Sequence, residues 1–245
     1  MELLWVTLAA LVTALATGLG ALPFLVVRRP RAGALGIANA IAAGFMLSAS
    51  GALAIEAFAK GWGRTLAGIG AGALVVAVAH RAVPDDETLA IGKLRGADAR
   101  KALLIVAIMT VHSFSEGIGV GVSYGAGNKL GVFITAAIAV HNIPEGLAIS
   151  LVLVPRGASV LAAAGWSVFS SLPQPLMAAP AYAFVETFSR FLPVGLGFAA
   201  GAMIWLAVRE LVPDARAELA PRQFALWLGS SVALMSALQA AFLTR

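Results

Sequence analysis

Apolar residues fall along this chain in long runs, separated by short charged or Pro/Gly-rich breaks. A run of about 18 or more apolar residues has the length of a helix that crosses the hydrocarbon layer of a bilayer, since each residue adds about 1.5 Å. The pattern predicts such helices near 3–27, 34–58, 65–81, 101–124, 130–154, 158–183, 191–211 and 222–243. One connection is long: the segment 82–100 holds Asp85, Asp86, Glu87, Lys93, Arg95, Asp98 and Arg100 and little that is apolar. The expectation is an all-α polytopic membrane protein of eight transmembrane helices, one domain over 1–245 with a loop at about 82–100. The first run opens on Glu2 instead of a basic stretch and is longer than the apolar part of a signal peptide, so it reads as a first span.

Composition sharpens this picture. The chain is 60% hydrophobic and 12% charged, where soluble domains are about a quarter charged, so it cannot clothe a water-facing surface. The net charge of +5 is scattered between apolar runs and not gathered on one stretch, which argues against a nucleic-acid partner. Basic residues are retained on the cytoplasmic side of spans. With both termini outside, twelve of the 17 Lys and Arg lie on the cytoplasmic side, namely Arg28, Arg29, Arg31, Arg81, Lys93, Arg95, Arg100, Lys101, Arg156, Arg209, Arg216 and Arg222. Lys60, Arg64, Lys129, Arg190 and Arg245 lie opposite. An odd number of helices would spoil that alternation. Glycine, at 26 residues, crowds segments such as 33–51 and 195–201, which reads as close helix packing in lipid and not as a phosphate loop.

Chemistry is concentrated in the fourth and fifth runs. They read HSFSEG from His112 and HNIPEG from His141, each a His, three residues, Glu and Gly. A spacing of four puts His112 beside Glu116, and His141 beside Glu145, on one face of each helix. A central acidic side chain costs about 2.5–3.5 kcal/mol on insertion scales, so two of them require compensation. A divalent cation held between the helices by two carboxylates and two imidazoles supplies it, and with no cysteine in the chain any metal must be held by nitrogen and oxygen. The motifs lie 29 positions apart, about the length needed to cross, turn and return to the same depth. Pro144 cannot donate to the carbonyl of Val140, a freed group tolerated at membrane depth where it lines a polar cavity. Asn142 adds an oxygen, and Ser113 occupies the matching position in the first motif. His80, at a helix end beside Arg81, reads as an interfacial residue without a ligand role. In the sixth run Ser170, Ser171, Pro173, Gln174 and Pro175 form a proline-broken polar patch, with Gln174 either a neutral ligand or a hydrogen-bonding partner. Glu210 and Asp214 end the seventh run on the cytoplasmic side and are candidates for an exit path; Met46 reads as helix packing.

HSFSEG and HNIPEG resemble the paired signatures of the ZIP (Zrt/Irt-like) family of metal transporters, in the fourth and fifth of its eight helices. SSLPQP around Gln174, GAMIWLAVRELVPDA from Gly201 and AAGFMLSAS from Ala42 resemble the family's sixth, seventh and second helices, and the likeness is greatest to the GufA-like branch. The resemblance implies the ZIP-transporter fold, external termini, and Zn²⁺ (or Fe²⁺, Mn²⁺, Cd²⁺) moved as substrate toward the cytoplasm without a cofactor. It carries metal-ligand roles onto His112, Glu116, His141, Asn142 and Glu145, with Gln174 where a sixth-helix carboxylate often stands. Ser113 and Ser115 replace a frequent Asn and a frequent Pro, and the neutral Gln174 puts a second metal site in doubt. Expected partners are a divalent metal ion and the lipid bilayer of a bacterial inner (plasma) membrane, with a homodimer left open. The rival readings are an intramembrane zinc-dependent hydrolase, which lacks an HExxH signature and a separate base, a metal-bound scaffold, and a proton-coupled carrier of organic solutes.

Overall fold

In the computed structural model, residues 2–27, 32–82, 90–91 and 94–243 are described. The helices are α1 (Glu2–Gly18), α2 (Pro23–Val26), α3 (Ala32–Lys60), α4 (Trp62–Ala82), α5 (Gly96–Ala126), α6 (Asn128–Leu153), α7 (Val160–Ser171), α8 (Pro173–Ala183), α9 (Val185–Leu206), α10 (Val212–Glu218) and α11 (Pro221–Leu243). A 3-10 turn over Leu19–Ala21 joins α1 to α2, and a π turn over Ala207–Leu211 joins α9 to α10. Among the described residues seven stretches are long and apolar enough to cross a membrane. The remaining pass, sixth in chain order, is α7 with α8, of 12 and 11 residues, broken at Leu172 because Pro173 has no N–H to continue the ladder. The eight expected passes are therefore present, the sixth as two half-length pieces.

Two boundaries differ from the expectation. Within the 82–100 segment β1 (Ala90–Ile91) pairs antiparallel with β2 (Leu94–Arg95), and α5 begins at Gly96, not near residue 101. Asp98 in its first turn faces the positive end of the helix dipole and accepts from Arg156 at 2.5 Å, which holds this extra turn. Asp85, Asp86, Glu87 and Lys93, like Arg28, Arg29, Arg31 and Arg245, lie outside the described residues. The seventh pass runs on to Glu218, beyond the expected 211, because the π turn lets the helix continue past Glu210.

Small residues decide the packing. A Cβ on Gly68 or Gly72 of α4 would lie 2.3 or 2.1 Å from the carbonyl oxygens of Val194 and Phe198 in α9. A Cβ on Gly197 or Gly201 of α9 would likewise lie 2.5 or 2.2 Å from the Thr65 and Ile69 carbonyl oxygens of α4. Glycines four apart on both helices thus let the two backbones touch, as close packing in lipid requires. Gly146 of α6 meets the Thr17 carbonyl of α1 in the same way, and Gly117 of α5 meets the backbone of Gln174 in α8. The apolar core, with Met46, Ile105, Met109, Ile149, Met203 and Leu206, lies among α3, α5, α6 and α9. Leu3, Trp5, Leu74, Leu226 and Leu234 on α1, α4 and α11 point outward, as expected where the solvent is lipid.

Contacts at the helix ends agree with the alternation of passes. Lys101 meets Asp214 at 2.7 Å, and the Arg156–Asp98 pair joins the ends of α6 and α5. At the other end Tyr182 donates to Glu2 at 2.6 Å and Arg64 to the Arg190 carbonyl at 2.9 Å.

Candidate functional site

The consecutive helices α5 and α6 are separated only by Gly127, whose φ of +141° reverses the chain at little cost because there is no Cβ. They run back alongside each other, and the two His/Glu pairs meet. His112 Nε2 lies 3.3 Å from Glu116 Oε1 and 3.0 Å from Glu145 Oε1; His141 Nε2 lies 3.5 and 3.4 Å from the same two oxygens. One ligand atom from each residue falls within 4.8 Å of all the others. All four side chains are buried, Glu145 at 1% exposure and His112 at 0%.

These separations are short, yet among the described residues His112 Nε2, His141 Nε2 and both oxygens of Glu145 have no hydrogen-bond partner. The nitrogens and oxygens converge on a common point without the alignment that N–H···O bonds demand. Buried carboxylates and imidazoles without such partners are costly. A cation about 2.0–2.1 Å from each of four tetrahedral ligands separates them by about 3.3 Å; the four N···O separations of 3.0–3.5 Å, in a set that lies within 4.8 Å, suit a zinc-sized divalent ion.

A polar belt surrounds this cluster. Gln174 Nε2 donates to Glu116 Oε2 at 2.5 Å, while Gln174 Oε1 accepts from Asn142 Nδ2 at 3.0 Å and lies 2.5 Å from the Thr13 hydroxyl. Asn142 Nδ2 also donates to the Thr13 carbonyl at 2.7 Å, which leaves its Oδ1 buried and unpartnered among the described residues. Ser113 is likewise buried with its hydroxyl unpartnered among them. One turn along α1, Thr17 meets Ser171 at 2.7 Å. Of the residues singled out in the sequence, His112, Glu116, His141, Asn142, Glu145 and Gln174 are brought together. Thr13 was not singled out; its trace is a Thr four positions before Thr17 inside an apolar run.

Glu210 and Asp214 are not part of the cluster. Both hold the Lys101 ammonium, at 3.3 and 2.7 Å, and Glu210 also lies 3.5 Å from His80 Nδ1. His80, expected to be merely interfacial, thus adjoins a carboxylate and packs against the Trp205 ring at 5.4 Å.

A predominantly helical chain with membrane-length spans and four buried His and Glu side chains between two of them defines an integral membrane protein with an intramembrane cluster of metal-ligand type. The sequence model of the family described as ZIP zinc transporter matches residues 65–241, and the chain belongs to that family. It is 48% identical over 240 residues to a "putative zinc transporter" of Arabidopsis thaliana, covering 97% of this chain and 39% of the plant protein, so the chain spans about two fifths of that relative's length. It is 34% identical over 222 residues to the zinc transporter GufA of Myxococcus xanthus, covering 84% of this chain and 86% of that protein.

Proposed function

We propose that this chain carries divalent metal ions, zinc foremost, across a bilayer through the cluster between α5 and α6. The observation that carries the proposal is the convergence of His112, Glu116, His141 and Glu145, at N···O separations of 3.0–3.5 Å without hydrogen-bond alignment, inside two membrane-length helices. Glu116 and Glu145 supply two negative charges for a divalent ion. His112 and His141 supply nitrogen ligands that favour zinc over magnesium or calcium. Asn142 keeps an amide oxygen, and Ser113 a hydroxyl, without a hydrogen-bond partner among the described residues. Gln174 has its oxygen and nitrogen engaged by neighbours, so its role is to hold Glu116 and Asn142.

The names of the two relatives, both zinc transporters, support zinc as substrate. Iron, manganese and cadmium are further candidates for the same donor set. We place both termini outside on the strength of the Lys and Arg bias, the protein in a bacterial plasma membrane on its likeness to the Myxococcus xanthus relative, and transport toward the cytoplasm on the resemblance to the ZIP family. The single domain is read over 1–245, and Glu210 with Asp214 lies at the cytoplasmic end of the path. The hydrolase reading is disfavoured, because both carboxylates of the cluster converge on the ion position and leave neither as a separate base.

The test is uptake of Zn²⁺, Fe²⁺, Mn²⁺ and Cd²⁺ into proteoliposomes of purified protein, beside a variant with Glu116→Ala and Glu145→Ala. Saturable uptake that the variant loses while still inserting into the bilayer is expected. Uptake equal to that of the unaltered protein refutes the site, and binding without uptake refutes transport.

A further inference from the structure

The orientation of two amides next to the cluster is dictated by one main-chain atom. The Thr13 carbonyl of α1 can only accept, so the Asn142 atom facing it at 2.7 Å must be the NH₂ group. That same nitrogen faces Gln174 at 3.0 Å, so the Gln174 atom turned toward it must be the oxygen. The Gln174 nitrogen is thereby turned toward Glu116 and donates to Oε2 at 2.5 Å. The Thr13 hydroxyl reinforces the arrangement at 2.5 Å from Gln174 Oε1, its single proton shared with the Ala10 carbonyl at 2.6 Å. Asn142, Gln174 and Thr13 are all fully buried, so water does not compete for these bonds.

Each carboxylate can bind a metal through one oxygen or two. Glu116 Oε1 is the atom that faces both imidazoles, while Oε2 is spoken for by the Gln174 N–H. Building on the transport-site reading above, we propose that Gln174, oriented by Asn142 and Thr13, is a positioning residue that restricts Glu116 to one ligating oxygen and so favours Zn²⁺ over Mn²⁺. The physical reason is coordination number. Zinc is satisfied by four ligands of mixed nitrogen and oxygen, whereas manganese favours six, mainly oxygen. An amide N–H on Oε2 subtracts an oxygen that the larger coordination shell would use. A glutamate at position 174 would instead present a second anion to Glu116, a contact that needs a cation between them. The chain's neutral residue there has a proton where a further ion would otherwise sit.

The test uses the full chain in detergent with Co²⁺ as a spectroscopic probe, since low-coordinate Co²⁺ absorbs strongly in the visible and six-coordinate Co²⁺ weakly. Competition with a chromophoric chelator gives the Zn²⁺ and Mn²⁺ affinities beside it. Gln174→Met keeps the length of the side chain and removes the donor. The variant is expected to lose visible Co²⁺ intensity and to narrow the Zn²⁺/Mn²⁺ affinity ratio by about tenfold, the low end of effects from residues that support ligands. Thr13→Val should move both readouts the same way by less, and Thr13→Ser should restore them. A Gln174→Met protein that binds Co²⁺ with unchanged spectrum and ratio overturns the proposal; if that variant is not recovered folded, Thr13→Val decides on the same two readouts. Absence of saturable Co²⁺ binding by the unaltered protein overturns the ion site itself, and the proposal with it, whereas unchanged variants of a binding protein overturn the Gln174 role alone.

Discussion

Asn142 shows how much a single side chain settles in this molecule. Its two N–H groups go to the Thr13 carbonyl and to Gln174, and its oxygen, at zero exposure, has no hydrogen-bond partner among the described residues. Replacing it by leucine, of similar volume, takes one donor from each of two buried acceptors, the Thr13 carbonyl and Gln174 Oε1, and removes the amide that orients Gln174. Asn142→Leu is expected to weaken Zn²⁺ binding by about 10–100-fold, measured by chelator competition on folded protein. An affinity within twofold of the unaltered chain would mean that Asn142 neither ligates nor supports a ligand. The four candidate ligands were legible in the sequence because the His-x₃-Glu spacing is a local property of a helix. Thr13 was not, because a hydroxyl in an apolar run can bond back to its own helix, as Thr7 does to Leu3, and nothing local reveals which ones also reach outward.

Between elements, the close approaches are made by glycine and carry the positioning of the site. Gly146 follows Glu145 directly and touches the Thr17 carbonyl; a Cβ there would lie 1.7 Å from that oxygen. The contact fixes the distance of α1 from α6, and with it the reach of the Thr13 carbonyl to Asn142. Gly146→Val is expected to lower the melting temperature of the detergent-solubilised protein by several degrees, a loss of about 1–3 kcal/mol for overpacking a tight contact, and to reduce metal affinity at the same time. Gly119→Ala, at a glycine whose Cβ would meet nothing within 4 Å, is the matched control and should change neither. The glycine-rich character was readable as close packing, but the choice of partner helix was not. Gly68 and Gly72 pair with α9, and Gly36 and Gly44 with α10 and α11, pairings between passes that are distant along the chain.

On the scale of the whole molecule, the alternation of passes puts charged residues at two ends that the structure joins by specific contacts. Lys101 links the start of α5 to Glu210 and Asp214, on the π turn and α10, and the Arg156–Asp98 pair closes the α5–α6 unit at the same end. Such part-exposed pairs contribute about 1 kcal/mol or less each. Lys101→Gln is therefore expected to leave Zn²⁺ uptake measurable and the melting temperature within a few degrees of the unaltered protein; complete loss of uptake would assign Lys101 a part in transport. Because the chain has no cysteine, its sidedness can be read directly. A single Lys129→Cys variant in intact cells is expected to react with a membrane-impermeant maleimide, and Arg216→Cys only after the membrane is opened. The reverse pattern would invert the proposed orientation.

The sequence by itself determined that the chain is membrane-spanning and predominantly helical, how many passes it makes, and which four His and Glu side chains are candidates for an ion site, since hydropathy and four-residue spacing act over one or two helical turns. The tertiary structure alone decided that the sixth pass continues as α8 after a break at Leu172, with Gln174 against Gly117, and that the seventh pass carries a π turn at Glu210. It also decided that a main-chain carbonyl at Thr13 orients Asn142 and Gln174. Amide direction, ion pairing and helix partner all depend on atoms brought from tens to more than a hundred positions away, and a pattern of hydrophobic and polar residues has no term for them.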